Sequence, residues 1–252
     1  MKSKAVFAGF YLLLFSTGLI SAAPRLEAHE RTYAFNEEYR TLPKGSFELE
    51  SHTRFKMPDA RVTDANTWEF QEEFEYGVTD RWTIAHYQIW QVQNRDASND
   101  DNGTYKGFKF ETKYRIGEKG QYWLDPLLYL EWQTAVRDHD NPNSIEGKVV
   151  LSKDFGLLNI NYNQIIESKL GSGGRTEHAY TVGTNYEIFE GVRPGVELKG
   201  TYWTPSSNRN ELAVGPSLAW SNRYFWISGG VLFGANRAAD DIQSRVIVGF
   251  SF

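Results

Sequence analysis

The sequence has no cysteine, so the fold does not rest on disulfides, as suits an exported chain that manages without them. Beyond residue 23 no stretch approaches the roughly 20 apolar residues that a membrane-spanning helix needs, which leaves a closed β-barrel as the one route into a membrane. A basic excess is missing too. The formal charge is −5 and becomes more negative once Lys2 and Lys4 are set aside, which argues against nucleic acid as a partner. What is abundant is aromatic: Phe, Trp and Tyr make up 15% of the residues, although the mean hydropathy is −0.52. A soluble protein hides that many rings in a more apolar core, whereas a barrel shows rings to lipid and polar groups to its lumen.

The start of the chain carries Lys2 and Lys4, an apolar run over 5–20, and then Ser21, Ala22 and Ala23. This order of positive, apolar and small residues predicts a cleaved secretory signal peptide over 1–22, with Pro24 disfavouring cleavage after Ala23. Residues 23–45 then form an N-terminal segment, periplasmic or plugging the lumen, ahead of a barrel over 46–252. Within the segment, Tyr33, Phe35 and Tyr39 alternate with more polar positions, as in a strand. Counting it as a membrane strand would break the even number usual in bacterial barrels, so its expected place is below or inside the lumen.

From residue 46 the polarity alternates with the period of strands that have two unlike faces. Twelve segments are predicted, at 46–57, 67–76, 81–93, 104–116, 122–137, 145–154, 157–167, 178–188, 193–204, 211–221, 224–235 and 242–252. Short and long connections alternate between them, as an outer-membrane barrel with periplasmic turns, external loops and both ends in the periplasm requires. In the last segment Ile242, Ser244, Val246, Val248, Phe250 and Phe252 share one face. Phe250 and the terminal Phe252 are the expected signal for the barrel-assembly machinery, because outer-membrane proteins commonly end in Phe. The fold class is thus all-β, a 12-stranded antiparallel transmembrane barrel, and the partners it implies are the lipid bilayer with its lipopolysaccharide and that machinery.

Three stretches carry a family resemblance: RTYAFNEEYRTLPKG over 31–45, FELESHTRF over 47–55, and EYGVTDRW over 75–82. In these the chain resembles a broad group of uncharacterised proteobacterial outer-membrane barrels, similar in style to the transport barrels of phenol meta-degradation clusters. The resemblance implies fold and location more than substrate, since its glycines and aspartates make turns and its aromatics make girdles.

The alternation sends Glu48, Glu50, His52, Arg54, Lys56, Glu69, Glu73, Glu75, Lys109, Glu111, Lys113, Arg115, Glu131, Arg137, Glu146, Lys148, Glu197, Lys199 and Arg245 towards the lumen. Both signs occur in similar number, so neighbouring strands are expected to pair them across the wall rather than form a filter of one sign. The acidic run over 69–75 is the one local excess, with Arg54, Lys109 and Lys113 as its expected neutralisers. The third segment is apolar on both faces. His86 and Gln88 share the side of Trp82 and Trp90, which favours Trp82, His86 and Trp90 as lumen-lining. Glu72 falls on the lipid side, where a carboxylate is costly unless a bulge or the membrane edge relieves it.

No His pair has metal-ligand spacing and no Gly-x-Ser-x-Gly elbow occurs, so neither an enzyme, a metal nor a cofactor is expected. The acidic run over 100–103 lacks the Asp and Glu that a calcium loop needs. The expected function is a channel or transporter for a small solute, with hydrophobic or aromatic solutes among the candidates; the alternative is a structural or interaction barrel whose filled lumen does not conduct.

Overall fold

A computed structural model describes residues 31–94, 103–135, 143–171, 174–203 and 210–252. The predicted signal peptide lies outside these residues. The chain forms a closed barrel of twelve antiparallel strands, each paired with its sequence neighbours. They are β1 (Phe47–Met57), β2 (Asn66–Thr79), β3 (Trp82–Asn94), β4 (Thr104–Arg115), β5 (Asp125–Ala135), β6 (Ser144–Phe155), β7 (Leu158–Lys169), β8 (Thr176–Tyr186), β9 (Val192–Trp203), β10 (Glu211–Ser221), β11 (Phe225–Gly234) and β12 (Ile242–Ser251). The strand number and order are those the sequence predicts, and so is the alternation of connection length except between β4 and β5, where the link over 116–124 is as long as the long connections. At the seam β1 pairs with β12 from Glu48↔Ser251 to Met57↔Ile242, and beyond it Phe252 N donates to Phe47 O at 2.8 Å.

The polarity pattern decides which way each side chain points. On β1 and β2, Phe47, Trp68, Phe70 and Phe74 are exposed on the outer surface, while Glu48, Glu50, Glu73 and Glu75 are buried within. A slip of one residue would exchange the two sets and put carboxylates into lipid, so the register is strongly specified. Glu72 is the exception that the sequence exposes. The β2–β3 register runs unbroken from Asn66↔Asn94 to Gly77↔Thr83, so no bulge turns Glu72 inward. Its carboxylate instead accepts a hydrogen bond from Ser51 Oγ at 2.9 Å on the outer face.

One departure from a predicted boundary and one irregularity of register fall at glycines with positive φ. β5 begins at Asp125 rather than near residue 122, because Gly117 and Gly120, at φ 87 and 80, build a wider turn. Gly120 N closes that turn on Asp125 Oδ1 at 2.7 Å. The β3–β4 register shifts at Ile89/Trp90, opposite Gly107, where φ is 134.

Residues 31–46 form no strand. The segment lies inside the barrel, with Tyr33, Ala34, Tyr39 and Leu42 buried. Alternation of its rings suggests a strand, but a strand needs a ladder partner for its N–H groups. Lumen side chains serve them instead, and an irregular path results.

Candidate functional site

The site is the barrel interior, and its organising feature is a line of carboxylates that climbs the wall. Register partners connect Glu48 to Glu75, Glu75 to Ala85, Ala85 to Glu111, and Glu111 to Glu131. The line continues from Glu131 to Glu146, from Glu146 to Glu167, and from Glu167 to Glu177. All are inward positions, because each hydrogen-bonded row crosses the sheet with the side chains of one face aligned. Strand tilt carries the row from the short-turn end at β1 to the long-connection end at β8.

At the lower part of this line the counter-charges come from the N-terminal segment. Arg40 Nη2 lies 2.7 Å from Glu48, 2.8 Å from Glu50 and 3.4 Å from Glu75. Its guanidinium also stands 5.3 Å from the centre of the Trp226 ring. Arg31 reaches Glu37 at 3.2 Å and Glu50 at 3.6 Å. Lys113 on β4 meets Glu75 at 2.5 Å, Glu111 at 3.2 Å and Glu37 of the segment at 3.5 Å. Burial alone would raise the Glu37 carboxyl, but Lys113 and Arg31 bring it down from the ordinary 4.5 to about 2. A carboxylate with a lowered folded-state value stabilises fully above its ordinary value, and that contribution fades as pH falls through the lowered one. The Glu37 anchor therefore holds through neutral and mildly acid conditions.

The backbone of the segment is held just as specifically. Three successive amides converge on one carboxylate: Ala34 N donates to Glu197 Oε1 at 2.8 Å, and Phe35 N and Asn36 N donate to Oε2 at 2.8 and 2.9 Å. Such a run of N–H groups is an anion-binding nest, here filled by the wall's own Glu197. Two asparagines on β7 clasp the next residue. Glu37 N donates to Asn163 Oδ1 at 2.7 Å, and its carbonyl accepts from Asn161 Nδ2 at 2.5 Å and Asn163 Nδ2 at 2.9 Å. Tyr39 OH donates to Gly117 O, and Leu42 N to Thr83 Oγ1, each at 2.8 Å.

The path of the segment also requires a bare position on the wall. A Cβ at Gly183 would lie 2.6 Å from Tyr33 Cε1 and 2.8 Å from Asn36 Nδ2. Gly183→Val is expected to leave the strands paired and to force the segment away. In detergent-folded protein this would be measured as faster trypsin cleavage at Arg31 and Arg40, with the barrel still shifting its gel mobility on heating.

The segment stands between two cavities. Arg31, Phe35 and Glu37 face one of about 400 Å³ at the long-connection end. Thr32 and residues 38–41 face another of about 330 Å³ at the short-turn end, which Arg115 also lines. Around the first cavity, Arg54 pairs with Glu69 at 3.1 Å, Lys109 with Glu131 at 3.1 Å and Lys148 with Glu146 at 2.8 Å. The expected neutralisation of the acidic run is thus met by Arg54 and Lys113, while Lys109 turns to β5.

Of the residues assigned to the lumen, those on β1, β2, β4, β5, β9 and β12 point inward, whereas Arg137 lies outside the described residues. Trp82, His86 and Trp90 are a correction. They stand on the outer face, and Thr83, Ala85, Tyr87 and Ile89 are the buried, inward set of β3. The two tryptophans sit near the strand ends, where girdle rings belong, and the polar groups between them satisfy one another. His86 Nδ1 lies 3.1 Å from Lys109 O, Gln88 Nε2 lies 2.6 Å from His86 Nε2, and Tyr105 OH donates to Gln88 Oε1 at 2.5 Å. Polar residues at these positions suggest the lumen only where no lipid-side partner exists, and this local network supplies the partners.

Tyr87 and Tyr129 were not singled out. Both hydroxyls donate to Glu111 Oε2, at 2.5 and 2.9 Å; their inward parity beside Glu111 was the available signal. Among the described residues, Glu50, His52 and Glu73 are close enough to hold a metal ion. However, a guanidinium only donates, and Arg245 Nη2 lies 2.8 Å from His52 Nδ1. Nδ1 must accept, which leaves the proton on Nε2, 2.9 Å from Glu50 Oε2. The arrangement fits a hydrogen-bonded relay better than a ligand set. His178 stacks on Tyr202 at 5.3 Å, and His29 and His139 lie outside the described residues.

Fold and interior together define a 12-stranded barrel of the outer-membrane type with a segment of its own chain in the lumen. Solved structures of similar shape include the COG4313 outer membrane channel from Pseudomonas putida F1, with a TM-score of 0.60, 12% identity, and coverage of 86% of this chain and 99% of that one. The NanC porin gives 0.54 at 12% identity over 82% of this chain and 98% of its own. The KdgM porin in complex with disordered oligogalacturonate gives 0.50 at 10% identity over 82% and 98%. At such identities the likeness is one of fold. No protein-family model matches the chain, and no curated protein matches it.

Proposed function

We propose that this chain is a small-solute channel of the bacterial outer membrane, held closed by its own N-terminal segment. The observation that carries this reading is the pair of cavities, about 400 and 330 Å³, with the segment between them. Its contacts are hydrogen bonds and ion pairs to polar wall residues, which water can replace one at a time as the segment leaves. A strand paired on both sides in the closed ladder could not leave so simply. In this reading the short turns and both ends lie in the periplasm, the outward rings meet lipid, and the long connections meet lipopolysaccharide. A hydrophobic or aromatic solute would meet Phe35, Tyr87 and Tyr129 rather than Trp82 and Trp90. The barrel-type channels of similar fold support the reading.

The second reading, a filled and non-conducting barrel, draws on the buried ion cluster around Arg40. Planar-bilayer recording of the full mature chain separates the two. A channel closed by a removable segment shows rare, brief openings that become frequent at high voltage. Closure at every voltage, with the barrel folded, would favour the filled barrel.

Assembly provides an independent check on location. Phe252 is exposed at the seam, and Phe250 is exposed beside it on the outer face of β12. We expect deletion of Phe252 to lower the amount of heat-modifiable protein in the outer membrane several-fold while secretion to the periplasm is unchanged. Undiminished assembly would make the residue incidental.

A further inference from the structure

The first cavity holds more than the channel reading requires. Lys56, Lys199 and Arg245 all line it, and among the described residues none of the three has a carboxylate within ion-pair distance. Arg245 Nε is buried and has no hydrogen-bond partner at all. Nor are these cations merely scattered. The strongest charge interactions of Lys199 are with Lys56 and Arg54, ahead of Glu211 and Glu177, and those of Arg245 are with Arg54 and Arg31. Arg54 and Arg245 are register partners across the seam, and like charges gathered this way raise the energy of the unliganded protein, which the more distant carboxylates of the cavity relieve only in part. Glu167, Glu177 and Glu211 line the same cavity, but none of them comes within ion-pair distance of Lys56, Lys199 or Arg245.

We propose that Arg54, Lys56, Lys199 and Arg245 form a binding site for a small organic anion bearing carboxylate groups, seated in the cavity at the long-connection end. The two lysines supply unpaired point charges for a carboxylate. Arg54, which also holds Glu69 at 3.1 Å, and Arg245, which also holds His52 at 2.8 Å, add the positive potential and remaining N–H donors that favour a second one. A cavity of about 400 Å³ admits a di- or tricarboxylate of a few carbons. Phe35, Tyr87 and Ile89 on its lining give the carbon skeleton an apolar surface. The site deepens the channel reading and rests on it for its purpose, but binding is measurable without flux.

The test is titration calorimetry of the full mature chain, folded in detergent, with citrate as the probe and inorganic phosphate and spermidine as comparators. Citrate is expected to bind saturably, more weakly as salt rises, and more tightly than phosphate; spermidine is expected not to compete. Lys56→Gln together with Lys199→Gln removes two charge-assisted contacts and should weaken citrate by roughly tenfold or more. The double variant relieves repulsion, so it should fold as well as the parent, read by heat-modifiable mobility. Glu167→Gln with Glu177→Gln changes as many charges among the acidic residues of the same cavity and should not weaken citrate. Absence of citrate binding, equal binding by the lysine double variant, or phosphate binding at least as tightly as citrate overturns the proposal. If citrate does not bind while the barrel still conducts, the anion site fails and the channel reading stands.

Discussion

Deleting residues 25–42 is expected to raise single-channel conductance several-fold and to turn the pore towards cations. The segment separates the two lumen cavities, so its removal joins them into one water path. It also removes Arg31 and Arg40, the guanidinium groups set against Glu48, Glu50 and Glu75. Those carboxylates, with Glu73 and Glu111, then face water with Lys113 as their nearest cation, and a ring of uncompensated carboxylates admits cations in preference to anions. The barrel should persist, because its strand ladder closes without the segment and the newly exposed charges gain hydration. Reversal potentials in a salt gradient read the selectivity, and single-channel steps read the conductance. Unchanged steps from a folded barrel would show that the segment is not the barrier. Loss of folding would show instead that the ion cluster is needed for assembly, and the next substitution, which leaves the chain whole, would then decide.

Glu197→Ala is expected to loosen the segment without shortening it. The carboxylate accepts from three consecutive main-chain amides and from Asn36 Nδ2 at 3.0 Å. Hydrogen bonds to a charged group contribute about 1.5–3 kcal/mol each, and a buried donor left without a partner costs about 1–3 kcal/mol. These terms are not additive, and water entering the vacated space restores part of them. A net loss of about 3 kcal/mol in docking corresponds to roughly a hundredfold rise in the undocked population. Bursts of opening should therefore be far more frequent, each with the conductance of the truncated chain. Glu197→Gln keeps the acceptor geometry of one oxygen and should fall between the two. An opening frequency equal to that of the parent would show that the nest does not hold the segment in place.

Much of the architecture was legible because β alternation is local. Phe47, Leu49 and Phe55 against Glu48, Glu50 and Arg54 announce a strand with two unlike faces whatever lies beside it, and the same logic held on every strand with a polar side. It failed where the faces are alike. On β3 the polar groups His86 and Gln88 lie outside, and their satisfaction depends on Tyr105 and on the Lys109 carbonyl from the adjacent strand, which no reading of β3 alone contains. The segment over 31–46 misled in a different way: its rings alternate as a strand's do, but its amides find Glu197, Asn163 and Thr83 rather than a neighbouring strand. Asn159, Asn161 and Asn163 alternate with apolar residues along β7, yet nothing in their spacing states that Asn161 and Asn163 clasp a main chain.

The sequence by itself determined the number of strands, which side chains face in on those with one clearly polar side, and most of the alternation of short and long connections, since each follows from polarity over a few residues. Only the tertiary structure decided what neutralises what. Register and strand tilt bring Glu48, Glu75, Glu111, Glu131, Glu146, Glu167 and Glu177 into one climbing row, although they are spread over more than a hundred residues of chain. Along its lower half the answering cations are Arg40 of the N-terminal segment and Lys113 of β4. Along the upper cavity, part of the positive charge is left without a carboxylate. Charge balance read along the chain cannot distinguish these cases, because electrostatic pairing depends on distance in space, and in a closed barrel that distance is set by the ring of register partners and not by the order of residues.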